Sequence, residues 1–228
     1  MTLQPRTPEA ESLRTFLLSA FDVKVGVGIA APKKVQPPLY PIEAAHVAKA
    51  TRKRRLEFAA GRAAARAALA ELGRAAAPLP ASPDRSPVWP LGTYGSISHT
   101  DRLCAAVATT SRIGIGIDLE DAHPLAEDIM PMICTDKEQE MIRGPESARL
   151  AKLIFSAKEA AYKAQYPVSK TLIGFDCLQV TLNLVSQAFE AQFLRAVPGF
   201  CMGDTLHGRY AWIGDHVVST AHCAVKEG

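Results

Sequence analysis

The chain has 228 residues, enough for one large or two small domains, and 48% hydrophobic content with a mean hydropathy of +0.03 fits a globular protein with a real core. Five cysteines (Cys104, Cys134, Cys177, Cys201, Cys223), odd in number, widely spaced and without a CxxC pair, read as reduced thiols, while the apolar patch Phe16 to Phe21 is too short for a signal peptide or a membrane span, so a soluble cytoplasmic protein is expected. The net charge of +3 hides an asymmetry: residues 1–112 hold 16 Lys/Arg against 8 Asp/Glu, and residues 113–228 hold 10 against 15, so an anionic ligand would favour the first half and a cation the second.

In chain order, the pattern predicts a helix over about Pro8 to Phe21, then a strand from Val23 to Ala30. Gly26-Val27-Gly28 inside that strand matches a loosened dinucleotide fingerprint, but Pro32, Pro37 and Pro38 stand where a phosphate-binding helix should begin, so it reads as a buried strand. A long helix is predicted from near Pro41 to Leu72, stopped by Gly73, followed by a Pro-rich loop from Ala75 to Pro90 and a hairpin of Thr93 to Ser98 with Leu103 to Thr109. The second half repeats this grammar. Strand 112–120 leads to short helices near 126–131 and 135–142, a long helix from about Ser147 to Gln165, and closing strands at Cys177–Leu184, Ala188–Leu194, His207–Ile213 and Val217–Ala224. The order of elements suggests an α+β fold of two similar subdomains, 1–111 and 112–228.

Three carboxylates carry the chemistry. In the strand Ile113 to Glu120, alternation puts Ile113, Ile115, Ile117 and Leu119 on one face and Asp118 and Glu120 side by side on the other. Paired acids resist ionisation unless a positive group joins them, and hard oxygen ligands suit Mg²⁺ or Mn²⁺; the same pair could equally be two solvated acids on an edge strand. Glu159 lies in the helical run Phe155 to Lys163, where Glu159 and Lys163 also form an ordinary i,i+4 pair.

The cluster Lys49, Arg52, Lys53, Arg54, Arg55, Arg62, Arg66, relieved by Glu57, reads as a solvated face or a polyanion-binding surface. Phe58 is its only aromatic and no nucleic-acid module is recognisable, so a compact phosphate ligand fits better than nucleic acid. In Gly95 to Thr100, Ile97 and His99 share one face of a strand and Ser96 and Ser98 the other, with His99 beside hydroxyls at a turn. The apolar residues Ile129, Met130, Met132, Ile133, Met141 and Ile142 read first as core and otherwise as an adaptable surface for a helical partner.

Four blocks taken together resemble the 4′-phosphopantetheinyl transferases of the surfactin-synthetase and enterobactin-synthetase type: Arg54-Arg55-Leu56-Glu57-Phe58 through Arg62; Ser86-Pro87-Val88-Trp89-Pro90 running into Gly95 to His99; Gly116-Ile117-Asp118-Leu119-Glu120; and Phe155-Ser156-Ala157-Lys158-Glu159 through Lys163. They span about 50 to 165. The resemblance implies a pseudo-twofold pair of α+β subdomains with coenzyme A and Mg²⁺, or Mn²⁺, in the cleft between them. It implies Asp118, Glu120 and Glu159 as metal ligands, Arg54 or Arg55, Arg62, Arg85, Ser98 and His99 as contacts to the nucleotide phosphates, and Lys158 and Lys163 facing the pyrophosphate. Phosphopantetheine would pass to a serine of an apo acyl or peptidyl carrier protein of fatty-acid, polyketide or nonribosomal peptide synthesis, releasing adenosine 3′,5′-bisphosphate. Glu159, directly or through a water, would take the serine proton, and Lys163 would stabilise charge on the phosphoryl oxygens. A monomer is implied. The alternative is a non-catalytic coenzyme A or nucleotide-binding protein on the same fold.

Overall fold

The computed structural model describes residues 7–224. The chain divides between Arg112 and Ile113 into two compact units, each a helix-covered antiparallel sheet.

The first unit contains α1 (Pro8–Ser19), β1 (Val25–Ala30), α2 (Pro41–His46), α3 (Arg52–Glu71), β2 (Tyr94–His99) and β3 (Cys104–Thr109). Its sheet has the order β1-β3-β2, with β3 paired antiparallel to both neighbours. Thr7 caps α1 by accepting from the Ala10 amide, and Pro8 occupies the first turn, where a missing N–H costs nothing. The long helix expected from Pro41 to Leu72 is interrupted. Residues 47–51 form a turn, and Thr51 starts α3 by accepting from the Arg54 amide at 3.2 Å. A threonine in that role favours a fresh N-terminus over a continued helix.

The second unit contains β4 (Ile113–Asp121), α4 (Met130–Ile133), α5 (Asp136–Met141), α6 (Ser147–Ser169), a 3₁₀ turn at Phe175–Cys177, and β5 (Leu178–Asn183), β6 (Ala188–Phe193), β7 (Thr205–Ile213) and β8 (His216–Ala224). The sheet order is β4-β8-β7-β6-β5, all antiparallel. Helix α6 runs one turn beyond the expected Gln165: Pro167 lies inside it, and Lys170 at φ 52 closes it in the left-handed conformation.

Both units use the same packing device. In β1 a methyl group at Gly26 or Gly28 would lie 2.0 Å from Ala68 O or 1.9 Å from Ala64 O; in β4 a methyl at Gly114 or Gly116 would lie 2.1 Å from Ala164 O or 2.0 Å from Ala160 O. A Gly-x-Gly strand thus lets the backbone of a long Ala-rich helix rest directly on the sheet. This accounts for Gly26 and Gly28 without any nucleotide. A second shared device is a capping glutamate turned inward. Glu43 of α2 accepts from Arg66 and the Leu79 amide, and Glu138 of α5 accepts from Lys158 and the Val180 amide. Both glutamates are fully buried, so each fastens the long helix of its unit to a short helix and a distant segment.

Candidate active site

In β4 the face that carries Gly114 and Gly116 continues into Asp118 and Glu120, so the glycines that seat α6 also bring its side chains onto the acids. Lys163 Nζ donates to Asp118 Oδ1 at 2.7 Å, and Lys152 Nζ to Glu120 Oε2 at 2.6 Å. Asp118 is 2% exposed. Burial pushes the Glu120 carboxyl above its ordinary range, the Asp118 charge pushes it further, and Lys152 opposes both. Glu159 is also raised, first by burial; Lys163 pulls it down, while Asp118 and Glu120 push it up. Glu120 and Glu159 therefore both sense Asp118. Lys152 and Lys163 supply the positive charge that such a group requires, and among the described residues no three His, Cys, Asp or Glu side chains are drawn together as a metal cluster. Beside Glu159 a cavity of about 260 Å³ is walled mainly by Tyr162, Leu172, Ile173 and Phe175.

Lys158 departs from its expected place. It is 1% exposed, and its ammonium donates to Glu138 Oε2 at 2.7 Å, Ile133 O at 2.8 Å and Phe175 O at 2.9 Å, so it joins α6 to α5 instead of facing a pyrophosphate. Three donors meet three acceptors, which exhausts an ammonium.

The basic cluster of the first unit is likewise divided. The break between α2 and α3 opens a concavity of about 740 Å³ whose wall includes His46, Lys49, Arg54, Phe58, Ser82 and Arg85, with no acid among its lining residues. Arg85 has φ 70, a left-handed conformation unusual for a non-glycine residue, within a tight turn in which its amide donates to Ser82 O at 2.8 Å. Arg54 Nη1 lies 3.3 Å from His99 Nε2 and 3.5 Å from Glu57 Oε2, so His99 adjoins this wall through Arg54. Arg62 does not. It is 6% exposed, its Nε donates to Leu79 O at 2.6 Å, and its guanidinium stacks on Phe58 at 4.0 Å. Burial lowers it to about 10. Its task is to hold the 79–80 loop. Arg55 is exposed on α3 without lining the concavity, and Ser98 is buried on the face of β2 opposite to His99.

Sequence reasoning missed His46 and Lys152. His46 enters the wall because α2 ends there, a boundary marked only by Thr51; Lys152 is detectable seven residues before Glu159, two helical turns along the same stripe.

A family model described as the 4′-phosphopantetheinyl transferase N-terminal domain matches residues 42–109, and one described as the 4′-phosphopantetheinyl transferase superfamily matches residues 114–221. The chain is 37% identical over 193 residues to the 4′-phosphopantetheinyl transferase Svp of Streptomyces mobaraensis, a match covering 80% of this chain and 77% of that one. It is 33% identical over 172 residues to the 4′-phosphopantetheinyl transferase PptT of Mycobacterium tuberculosis, covering 74% and 75%. It is also 41% identical over 124 residues to enterobactin synthase component D of Escherichia coli, covering 53% and 59%. With its two mixed helix-and-sheet units and both halves matched, the chain belongs to the 4′-phosphopantetheinyl transferase superfamily, enzymes that carry 4′-phosphopantetheine from coenzyme A to carrier proteins.

Proposed function

We propose that Asp118, Glu120 and Glu159 hold a divalent cation, Mg²⁺ or Mn²⁺, during this transfer, and that Arg54, Arg85 and His99 bind the nucleotide phosphates of coenzyme A. The donor set fits. All three ligands are carboxylates, hard oxygen donors, and two of them, Glu120 and Glu159, are pushed up first by burial and then by the Asp118 charge, a strain that a cation relieves. When bound, the cation would neutralise charge on the pyrophosphate oxygens. The single observation that carries this reading is the acid group set by Gly114 and Gly116 beneath α6.

In the transfer the carrier serine Oγ forms a bond to the phosphorus next to the pantetheine arm. The bond from that phosphorus to the bridging oxygen breaks, and adenosine 3′,5′-bisphosphate leaves with the electron pair. Glu159 takes the serine proton directly or through a water. Lys163, which donates to Asp118 Oδ1 at 2.7 Å, would turn to the phosphates and stabilise charge on the departing oxygen. The concavity beside Arg54 and Arg85 offers cations, and although Arg54 also lies 3.5 Å from Glu57 Oε2, its lining residues include no acid.

The carrier would come from fatty-acid, polyketide or nonribosomal peptide synthesis, and enterobactin synthase component D among the relatives makes a siderophore system one candidate. Ile133 and Ile142 are buried, but Ile129, Met132 and Met141 are exposed, so part of the apolar run around α4 and α5 is available to a partner helix. A monomer acting in the cytoplasm completes the reading. The test is to measure adenosine 3′,5′-bisphosphate released from coenzyme A in the presence of an apo carrier. Release that needs Mg²⁺ and is lost in Glu159→Ala supports the assignment; release that persists in full with chelator removes the cation. Retained coenzyme A binding with no release on any carrier would favour the non-catalytic reading.

A further inference from the structure

The packing of α6 on β4 advances in even steps. Gly114 lies against Ala164 O, Gly116 against Ala160 O, and Lys152 reaches Glu120. Two strand residues advance about 6.6 Å and four helical residues about 6 Å, so the step between Ala160 and Lys152 sets Ser156 beside Asp118. Across the ladder Asp118 is paired with Ser219 of β8, and directly opposed residues share a face. Asp118 therefore has one serine on the helix above it and one on the strand beside it.

Both serines are 0% exposed, and neither hydroxyl has a hydrogen-bond partner. Buried hydroxyls are normally bonded, and leaving one unmade is costly. Nothing in the packing asks for serine here. The neighbouring positions of the same helical stripe are Ala160 and Ala164, and the next residue on the same face of β8 is Ala221. A fold that needed only volume would be served by alanine at 156 and 219.

We propose that Ser156 and Ser219 are positioning residues that orient the Asp118 carboxylate when it exchanges Lys163 for the divalent cation. The inference rests on the reading of Asp118 as a metal ligand. With Lys163 bonded to Oδ1, the carboxylate is held from one side by a charged group. Once that ammonium turns away, two rotatable O–H donors take over and set the plane of the carboxylate without adding a charge that would compete with the cation. The unmade bonds belong to one state of Asp118 and are made in the other.

The experiment is Mn²⁺ binding followed by electron paramagnetic resonance, with coenzyme A present, for the wild type, Asp118→Ala, the double variant Ser156→Ala/Ser219→Ala, and Ser219→Thr. The double variant should bind Mn²⁺ roughly 10- to 100-fold more weakly, the size expected for losing groups behind a metal ligand. It should melt no lower than the wild type, because it deletes hydroxyls that the folded protein leaves unbonded. Ser219→Thr, which keeps the hydroxyl, should bind more tightly than the double variant. Wild-type Mn²⁺ affinity in the double variant, with Asp118→Ala impaired, would overturn this inference alone. A melting point several degrees lower would also overturn it, by making the serines structural. Absence of Mn²⁺ binding by the wild type would overturn the Asp118 reading and this inference with it.

Discussion

Replacing Lys158 with methionine separates a structural from a catalytic lysine. The substitution keeps an unbranched side chain of similar length and removes three N–H donors, leaving the fully buried Glu138 carboxylate with its amide partners but without its countercharge. Breaking a buried pair by removing one partner costs about 3–5 kcal/mol. For a protein of this size, at roughly 2–4 °C per kcal/mol, the melting temperature should fall by about 6–20 °C. The double variant Lys158→Met/Glu138→Leu removes both charges and should recover much of that loss, since an apolar replacement of a buried pair is often neutral. Thermal melting by circular dichroism and coenzyme A titration at a temperature where each variant is folded provide the two readouts. Coenzyme A affinity should stay near that of the wild type. A Lys158→Met protein that melts normally but binds coenzyme A tenfold or more weakly would refute the reasoning and return Lys158 to the ligand.

Further outcomes follow from the same geometry. Asp118→Ala and Glu159→Ala should each lower turnover by roughly two to three orders of magnitude in a coupled kinetic assay while circular dichroism stays native, as for loss of a charge-stabilising group; wild-type turnover in either would remove the assignment. Arg54→Ala and Arg85→Ala should each raise the KM for coenzyme A by about tenfold or more with kcat nearly kept, the effect of losing a charge-assisted hydrogen bond used mainly in binding. Burial pushes the Cys134 and Cys223 thiols from 9.0 up to about 11. Between pH 9 and 11 the unfolded chain therefore loses these protons while the folded one keeps them, and stability falls as pH rises. In urea titrations at pH 8 and 10, Cys134→Ala/Cys223→Ala should show a shallower loss than the wild type.

The acid strand and its helix were legible because alternation along Gly114 to Glu120 and the helical spacing of Glu159 and Lys163 each point one way without help from the rest of the fold. The directions of Lys158 and Arg62 were harder to read, because charged residues on a helix are expected outside. The signal was nonetheless present. Lys158 stands four residues after Ile154 and three before Ala161, and Arg62 four after Phe58 and three before Ala65, all buried, so both lie within apolar stripes. Their partners were not legible: Glu138 sits 20 residues away and the Leu79 carbonyl 17, and pairing over such distances comes from packing and not from pattern. The break at residues 47–51 was lost to an alanine-rich composition that favours a continuous helix, although Thr51 is a good N-cap. The relation of Ser156 and Ser219 to Asp118 was not legible in sequence, since it depends on the seating of α6 on β4 and on a cross-strand pairing of residues about a hundred positions apart.

The central claim is that this chain loads carrier proteins through Asp118, Glu120 and Glu159. Intact-mass spectrometry of a panel of apo carrier proteins, each incubated with the enzyme, coenzyme A and Mg²⁺, tests it most directly. The account predicts a gain of one phosphopantetheine on at least one carrier, abolished by chelator and by Glu159→Ala. An unchanged gain in Glu159→Ala, or no gain on any carrier while coenzyme A remains bound, would contradict it.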